Sequence, residues 1–334
     1  MYDIFLKGTI KTVSPVTFTT PDPNGHMIAG SLPLMGGRLY VPASSIRGAL
    51  RRKALSVISG NTKFSLADYY LNAIGGVKGS KTDSDSNEAK TWIECVRRVQ
   101  SRNPQVSLFG AMAPATVPGK LSVDHAIDVS DYPVRAAWMQ HVRVDDLKRD
   151  PSVLGTMSGD IFDEYEQMKS GAAERSELKA QIKKLESTLS KSSDDQKIRE
   201  EIAVKKEELK KLHEVQIQLH NLQYQVIPSG VIMASGFRIM NVTEAEASLF
   251  MKALDSLALN PVLGGRRNHG NGLVAGNWEV LYRENGSRSM RSGGNIAFEG
   301  DFYPAKFTGK ADEWANTEID WNDYNFSAEL LKQP

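Results

Sequence analysis

The chain of 334 residues has a single cysteine, Cys95, which excludes an intrachain disulfide and any zinc site built from several cysteines. No apolar run approaches membrane-spanning length, so no membrane partner is expected. The start, Met1-Tyr2-Asp3-Ile4, lacks the apolar core of a secretory signal and does not look like a transit peptide. With the lone cysteine, this places the expected compartment in a reducing cytoplasm. No P-loop motif is present, and the nearest approach to a dinucleotide fingerprint, Gly270-x-Gly272-x-x-x-Gly276, has the wrong spacing and leads into a strand-like stretch, Leu273 to Tyr282. The chain also lacks a charge excess: 41 Lys and Arg against 40 Asp and Glu leave +1. That balance hides an uneven distribution. Roughly the first hundred residues are rich in Arg and Lys, whereas Asp301, Asp312, Glu313, Glu318, Asp320, Asp323 and Glu329 crowd the C-terminal segment. A hydrophobic content of 40% excludes fibrous and disordered classes and leaves one large or two ordinary globular domains.

Hydrophobic periodicity predicts the elements. Tyr2 to Thr12 alternates as a first strand and is followed by a loop, Phe18 to Gly30, with Pro21, Pro23 and Asn24-Gly25. Leu32 to Tyr40 leads on to a helix. The polar run Gly75 to Asn87 has little to pack and reads as mobile. Ser107-Leu108-Phe109-Gly110, the breaker-rich Ala113 to Gly119 and the strand-like Lys120 to Ala126 read as a loop-strand unit. Between Ile161 and Leu222, Leu178, Ile182, Leu185 and Leu189 step at heptad spacing, as do Ile202, Leu209, Leu212 and Leu219. Ser193 with Gln196 forms a capping box between the two arms, predicting an inserted helical hairpin. Beyond it, Val231, Met233, Ser235, Phe237 and Ile239 share one strand face, and Thr243 with Glu246 opens a helix to Leu259.

Two stretches carry chemistry. In Tyr40-Val41-Pro42-Ala43-Ser44-Ser45-Ile46-Arg47-Gly48-Ala49-Leu50-Arg51-Arg52-Lys53, Pro42 ends the extended run and Ser44 or Ser45 is placed to cap a helix whose apolar stripe is Ile46, Leu50, Ala54 and Val57/Ile58. A helix start favours acids, yet these turns hold four cations and no carboxylate. A bound phosphate would satisfy the free N–H groups and the arginines together, and Gly48 permits close approach. A solvated basic face is the alternative. The second stretch is Leu263 to Val274, where Gly264 and Gly265 free the backbone and Arg266, Arg267, Asn268 and His269 offer donors to an anion. Asp124-His125 invites an acid-base reading, but such a pair at a strand end is more often structural.

Tyr40 to Arg51 resembles the "I-P-G-S-S-L-K-G-x-L-R" signature of the RAMP superfamily, RNA-recognition-like proteins of CRISPR effector complexes. Four further segments follow in the family's order. Leu108-Phe109-Gly110 with Leu121 to Ala126 resembles "L-F-G … R-L-x-V-x-D-A", His141-Val142-Arg143-Val144-Asp145 resembles "x-R-I-D-R", Gln225 to Gly230 resembles "E-V-V-P-x-G", and Gly264 to Gly272 resembles the C-terminal glycine-rich loop. Ala43 departs from the family's usual Gly, and the hairpin lies where the family has its thumb.

The resemblance implies an α+β, modified ferredoxin-like core with an inserted antiparallel helical coiled hairpin: 1–160 and 223–283 as core, 161–222 as hairpin and 284–334 as an acidic aromatic tail. It implies a backbone subunit, most similar to that of type IV systems, that polymerises along CRISPR RNA as a helical filament with other Cas subunits and a complementary DNA or RNA target. The RNA-binding set would be Ser44, Ser45, Arg47, Gly48, Arg51, Arg52, Gly264, Gly265, Arg266, Arg267, Asn268 and His269, with no cofactor and no metal. The type III backbone subunit is the rival. It cleaves with an Asp where Ser31 stands here, and a hydroxyl cannot replace that carboxylate. The subunit is therefore expected to be non-cleaving. A ribonuclease using Asp22 or Asp124, or His26, His125 or His269, is the competing hypothesis.

Overall fold

A computed structural model describes residues 1–18, 20–21, 27–28, 32, 34–60, 63–76, 89–112, 116–142, 174, 176–189, 196–211 and 221–331. Asp22, His26, Ser31, Arg143 to Asp145, Ser193, Leu212, Leu219 and most of the Gly75 to Asn87 run lie outside the described residues. The strands in chain order are β1 Tyr2–Thr12, β2 Thr20–Pro21, β3 Met27–Ile28, β4 Leu34–Met35, β5 Arg38–Val41, β6 Leu121–Val123, β7 Ala126–Asp128, β8 Ala137–Val142, β9 Asn221–Val226, β10 Ile232–Val242, β11 Val274–Glu284, β12 Arg291–Phe298 and β13 Lys306–Phe307. The helices are α1 Ala43–Ser59, α2 Leu66–Ile74, α3 Ala89–Arg102, α4 Pro104–Phe109, α5 176–189, α6 Gln196–Lys211, α7 Glu244–Ala258 and α8 Lys310–Asn316.

The chain divides into two compact units, Met1–Met139 with Gln223–Pro334, and Gln140–Leu222. The first is an α+β unit built on an antiparallel sheet in the order β13-β12-β11-β1-β10-β7-β5-β4, with β6 also on β10. β1 sits at its centre because every second residue is apolar, so Ile4, Leu6 and Ile10 point into the core. The register carries this inward row across the sheet: Leu6 faces Phe237 on β10 and Val280 on β11. On β10 the predicted face is the buried one, from Val231 to Ile239 in steps of two. Phe237, Phe250 and Trp278 pack edge to face at centroid distances of 5.6–5.7 Å, the aromatic centre of the core.

Helices α1 and α7 pack against each other. The α7 capping box is formed as predicted, Thr243 Oγ1 accepting from the Glu246 amide and Glu246 accepting from the Thr243 amide. On α1 the expected stripe is buried.

Before α1, the paired glycines Gly36-Gly37, both at positive φ, turn the chain between β4 and β5 into a hairpin. Other expectations are corrected. Ser107 to Phe109 closes helix α4, started by Pro104 and capped by Asn103, whose side chain accepts from the Val106 amide. Residues 284–331 are no tail but part of the first unit. β12 extends the sheet beside β11, and Trp314, Trp321 and Phe326 are buried. The acidic positions between these anchors gave the segment its tail-like composition.

In the second unit, α5 buries Ile182 and half-buries Leu178, Leu185 and Leu189, while α6 buries Ile202 and half-buries Ile198 and Leu209. Lys205 Nζ donates to Gln181 Oε1 at 2.7 Å and Lys206 pairs with Glu186 at 2.8 Å.

Candidate nucleic-acid interface

The start of α1 is capped differently from expectation. Pro42 is the N-cap, with no side-chain cap of its own, and its carbonyl accepts from the Ser45 amide at 2.9 Å. Ser44 and Ser45 therefore lie inside the first turn and do not cap it. The first amide, of Ala43, instead donates to His125 Nδ1 at 3.1 Å, and the His125 ring meets Tyr40 edge to face at 5.0 Å. Asp124 turns elsewhere and pairs with Arg238 at 2.7 Å. These two residues thus hold the fold here, His125 as a cap supplied from the β6-β7 connection.

The arginines of α1 divide. Arg51 is 8% exposed, and its guanidinium donates to the carbonyls of Asn72 (2.7 Å), Leu71 (2.8 Å) and Phe109 (3.2 Å). Leu71 and Asn72 lie in the closing turns of α2 and Phe109 ends α4, so the cation sits where two helix C-termini present negative dipole ends. Burial, and then the nearby Arg47 charge, lower its pKa to about 10. Arg51 is thereby removed from the set that faces a ligand. Arg47 is half-buried, donates to the same Phe109 carbonyl at 2.8 Å, and its Nε is buried without a hydrogen-bond partner. Burial lowers its pKa as well.

Arg52 is exposed and Lys53 half-buried. Each has its pKa lowered by burial and next by the charge of Arg267, and Lys53 also feels Arg52. This is how the fold joins two stretches more than two hundred residues apart in sequence: the glycine-rich loop brings a cation to the outer face of α1. No described carboxylate offsets these three charges in either shift, so an anion placed among them would relieve their repulsion. Gly48 lies one turn before Arg52, whose Nη1 would be 3.7 Å from an added Cβ, so the helix itself does not require a glycine there.

The loop is pinned at its neck and open at its tip. The Leu263 amide donates to the Gly272 carbonyl, Gly272 to Pro15 and Gly265 to Thr17, all at 2.8–2.9 Å. Gly264, at φ +82°, has the Thr17 carbonyl only 2.4 Å from where a Cβ would stand, so its glycine is structural. Gly265 has nothing within 4 Å of that place, and Arg267, Asn268 and His269 are exposed. Arg266 adopts φ 55°, ψ 38° and lies over the Tyr224 ring at 4.2 Å. Tyr224, which sequence reasoning missed, is 2% exposed and accepts from Asn271 Nδ2 at 2.9 Å. A lone aromatic in a short strand carries no pattern that would have marked it.

Among the described residues no group of three or more His, Cys, Asp and Glu could hold a metal ion, and no helix is long and apolar enough to cross a membrane. The family model of the RAMP superfamily matches residues 9–275, and the chain belongs to that superfamily. Among solved structures, a chain of a "Type IV-B CRISPR Complex" is similar at 15% identity and TM-score 0.43, the match covering 86% of this chain and 93% of that one. No curated protein matches the sequence.

Proposed function

We propose that this chain is a CRISPR RNA-binding backbone subunit of a multi-subunit effector complex, type IV-like, that polymerises along its guide and does not itself cleave. The observation that carries the reading is that the charge of Arg267 on the glycine-rich loop reaches Arg52 and Lys53 on α1, a cationic cluster that no described carboxylate offsets, drawn from the two elements that the superfamily resemblance marks. Such a cluster suits a phosphodiester backbone, which is bound through charge whatever its sequence. The strand order β11-β1-β10-β7, with α1 after the first strand and α7 after the third in chain order, supports a ferredoxin-like core. The cross-pairs of Gln181 with Lys205 and Glu186 with Lys206 support an antiparallel arrangement of α5 and α6 as a hairpin. The non-cleaving role is consistent with Asp124 and His125 being engaged in an ion pair and a helix cap.

The test is to express the chain beside its neighbouring genes and analyse the nucleic acid that co-purifies. RNA of one uniform length is expected; a protein free of RNA would overturn the reading. Regularly spaced cleavage of a matched target with divalent metal, abolished by Asp124→Ala, would overturn the non-cleaving role.

A further inference from the structure

Arg266 is set apart from the other cations of the loop. Its backbone occupies the left-handed region, which a non-glycine residue enters at a cost, and strain of this kind persists only where the surroundings hold it. The pinned neck of the loop does so from one side. From the other, the Tyr224 ring lies under the guanidinium at 4.2 Å, and Tyr224 is fixed by buried Asn271. No described carboxylate or carbonyl accepts from this half-exposed guanidinium. A cation meant only to neutralise phosphate needs no aromatic support, and Arg267, not Arg266, is the residue whose charge reaches Arg52 and Lys53. An arginine plane resting on an aromatic ring offers its other face to a further planar group.

We infer that Arg266 is a base-stacking residue, a nucleobase of the bound single strand lying on the guanidinium face opposite Tyr224. This rests on the RNA-binding reading above and gives the loop two roles: Arg267 for the backbone and Arg266 for a base. Stacking of this type tolerates any base identity.

The experiment compares binding of an oligoadenylate with that of an abasic ribose-phosphate oligomer of equal length, so that charge is constant and only the bases differ. The wild-type chain is expected to favour the oligoadenylate by about tenfold. Arg266→Lys keeps the charge and is expected to lose most of that preference while keeping its salt dependence. Arg266→Gly, which adopts the left-handed backbone freely, is expected to fold, as checked by its melting temperature, and to lose the preference too. A preference that survives in both folded variants overturns the stacking role, as does an equal loss of affinity for both oligomers, which would assign Arg266 to phosphate. Failure of the wild-type chain to bind either oligomer would overturn the RNA-binding reading itself.

Discussion

Helix α1 and the glycine-rich loop look alike in sequence, each a run of arginines beside glycines, but the fold uses them in opposite ways. On α1 the arginine with the most hydrogen bonds, Arg51, is turned inward onto three carbonyls, while its neighbour Arg52 stays exposed. On the loop the glycine at the neck, Gly264, is fixed by contact with Thr17, and the residues beyond it are held outward. Composition therefore locates a basic site without saying which of its members bind and which build it. The difference is decided by helical phase. Arg51 stands three, four and seven residues before Ala54, Leu55 and Ile58, all buried, so it shares their face. Arg52 is one step, or about 100° of helical rotation, further round.

The sharpest test of that division is stability. Arg51→Ala removes three hydrogen bonds made by a buried cation and leaves a void, and should lower unfolding free energy by roughly 2–4 kcal/mol in urea denaturation. Arg52→Ala should stay within about 0.5 kcal/mol of wild type. Equal losses in the two variants would erase the contrast.

The loop offers the matching pair. Gly264→Ala forces a Cβ against the Thr17 carbonyl at an unfavourable φ and should cost about 1–3 kcal/mol. Gly265→Ala meets open space and should leave the melting temperature unchanged, yet weaken RNA binding if a backbone approaches the tip. Gly48→Ala is the helical counterpart. It should stabilise the chain by about 0.5–1 kcal/mol through helix propensity while lowering RNA recovery.

A smaller effect concerns acid stability at the start of α2, the end opposite the one that Arg51 holds. Burial raises the Asp68 pKa, but hydrogen bonds from Ala328 and Ser65 outweigh it and leave the pKa below the ordinary 3.8. A depressed carboxylate stabilises the fold above its unfolded pKa, and that contribution is lost as pH falls through the folded value. Asp68→Asn should therefore flatten the decline in stability as pH falls below the ordinary carboxylate value. An unchanged acid profile would show that Asp68 contributes nothing there.

Much of the fold was legible because burial alternates over most of the long strands β1 and β10, and because Thr243 and Glu246 cap α7 by local chemistry alone. Short elements were not. β6 and β7 are three residues each, too few to show a period, and α4 is six residues ended by Gly110. The α1 cap was misread because it comes from His125, 82 positions away, which no local pattern reports. At the site, the exposure of Arg52, Arg267, Asn268 and His269 fitted their exposed, donor-rich stretches. The inward turn of Arg51 was written in its helical phase, shared with Ala54, Leu55 and Ile58, and overlooked in favour of its charge. The support of Arg266 by Tyr224 depends on tertiary contact and was not readable.

The cation cluster joining the two regions is tested most directly by the salt dependence of single-stranded RNA binding in wild type and the Arg52→Ala/Arg267→Ala double variant. Each lost phosphate contact should make the plot of log affinity against log salt shallower by about 0.7, so the double variant should fall by roughly 1.4 with its melting temperature unchanged. A folded double variant with the wild-type slope would contradict the placement of the RNA backbone between α1 and the loop.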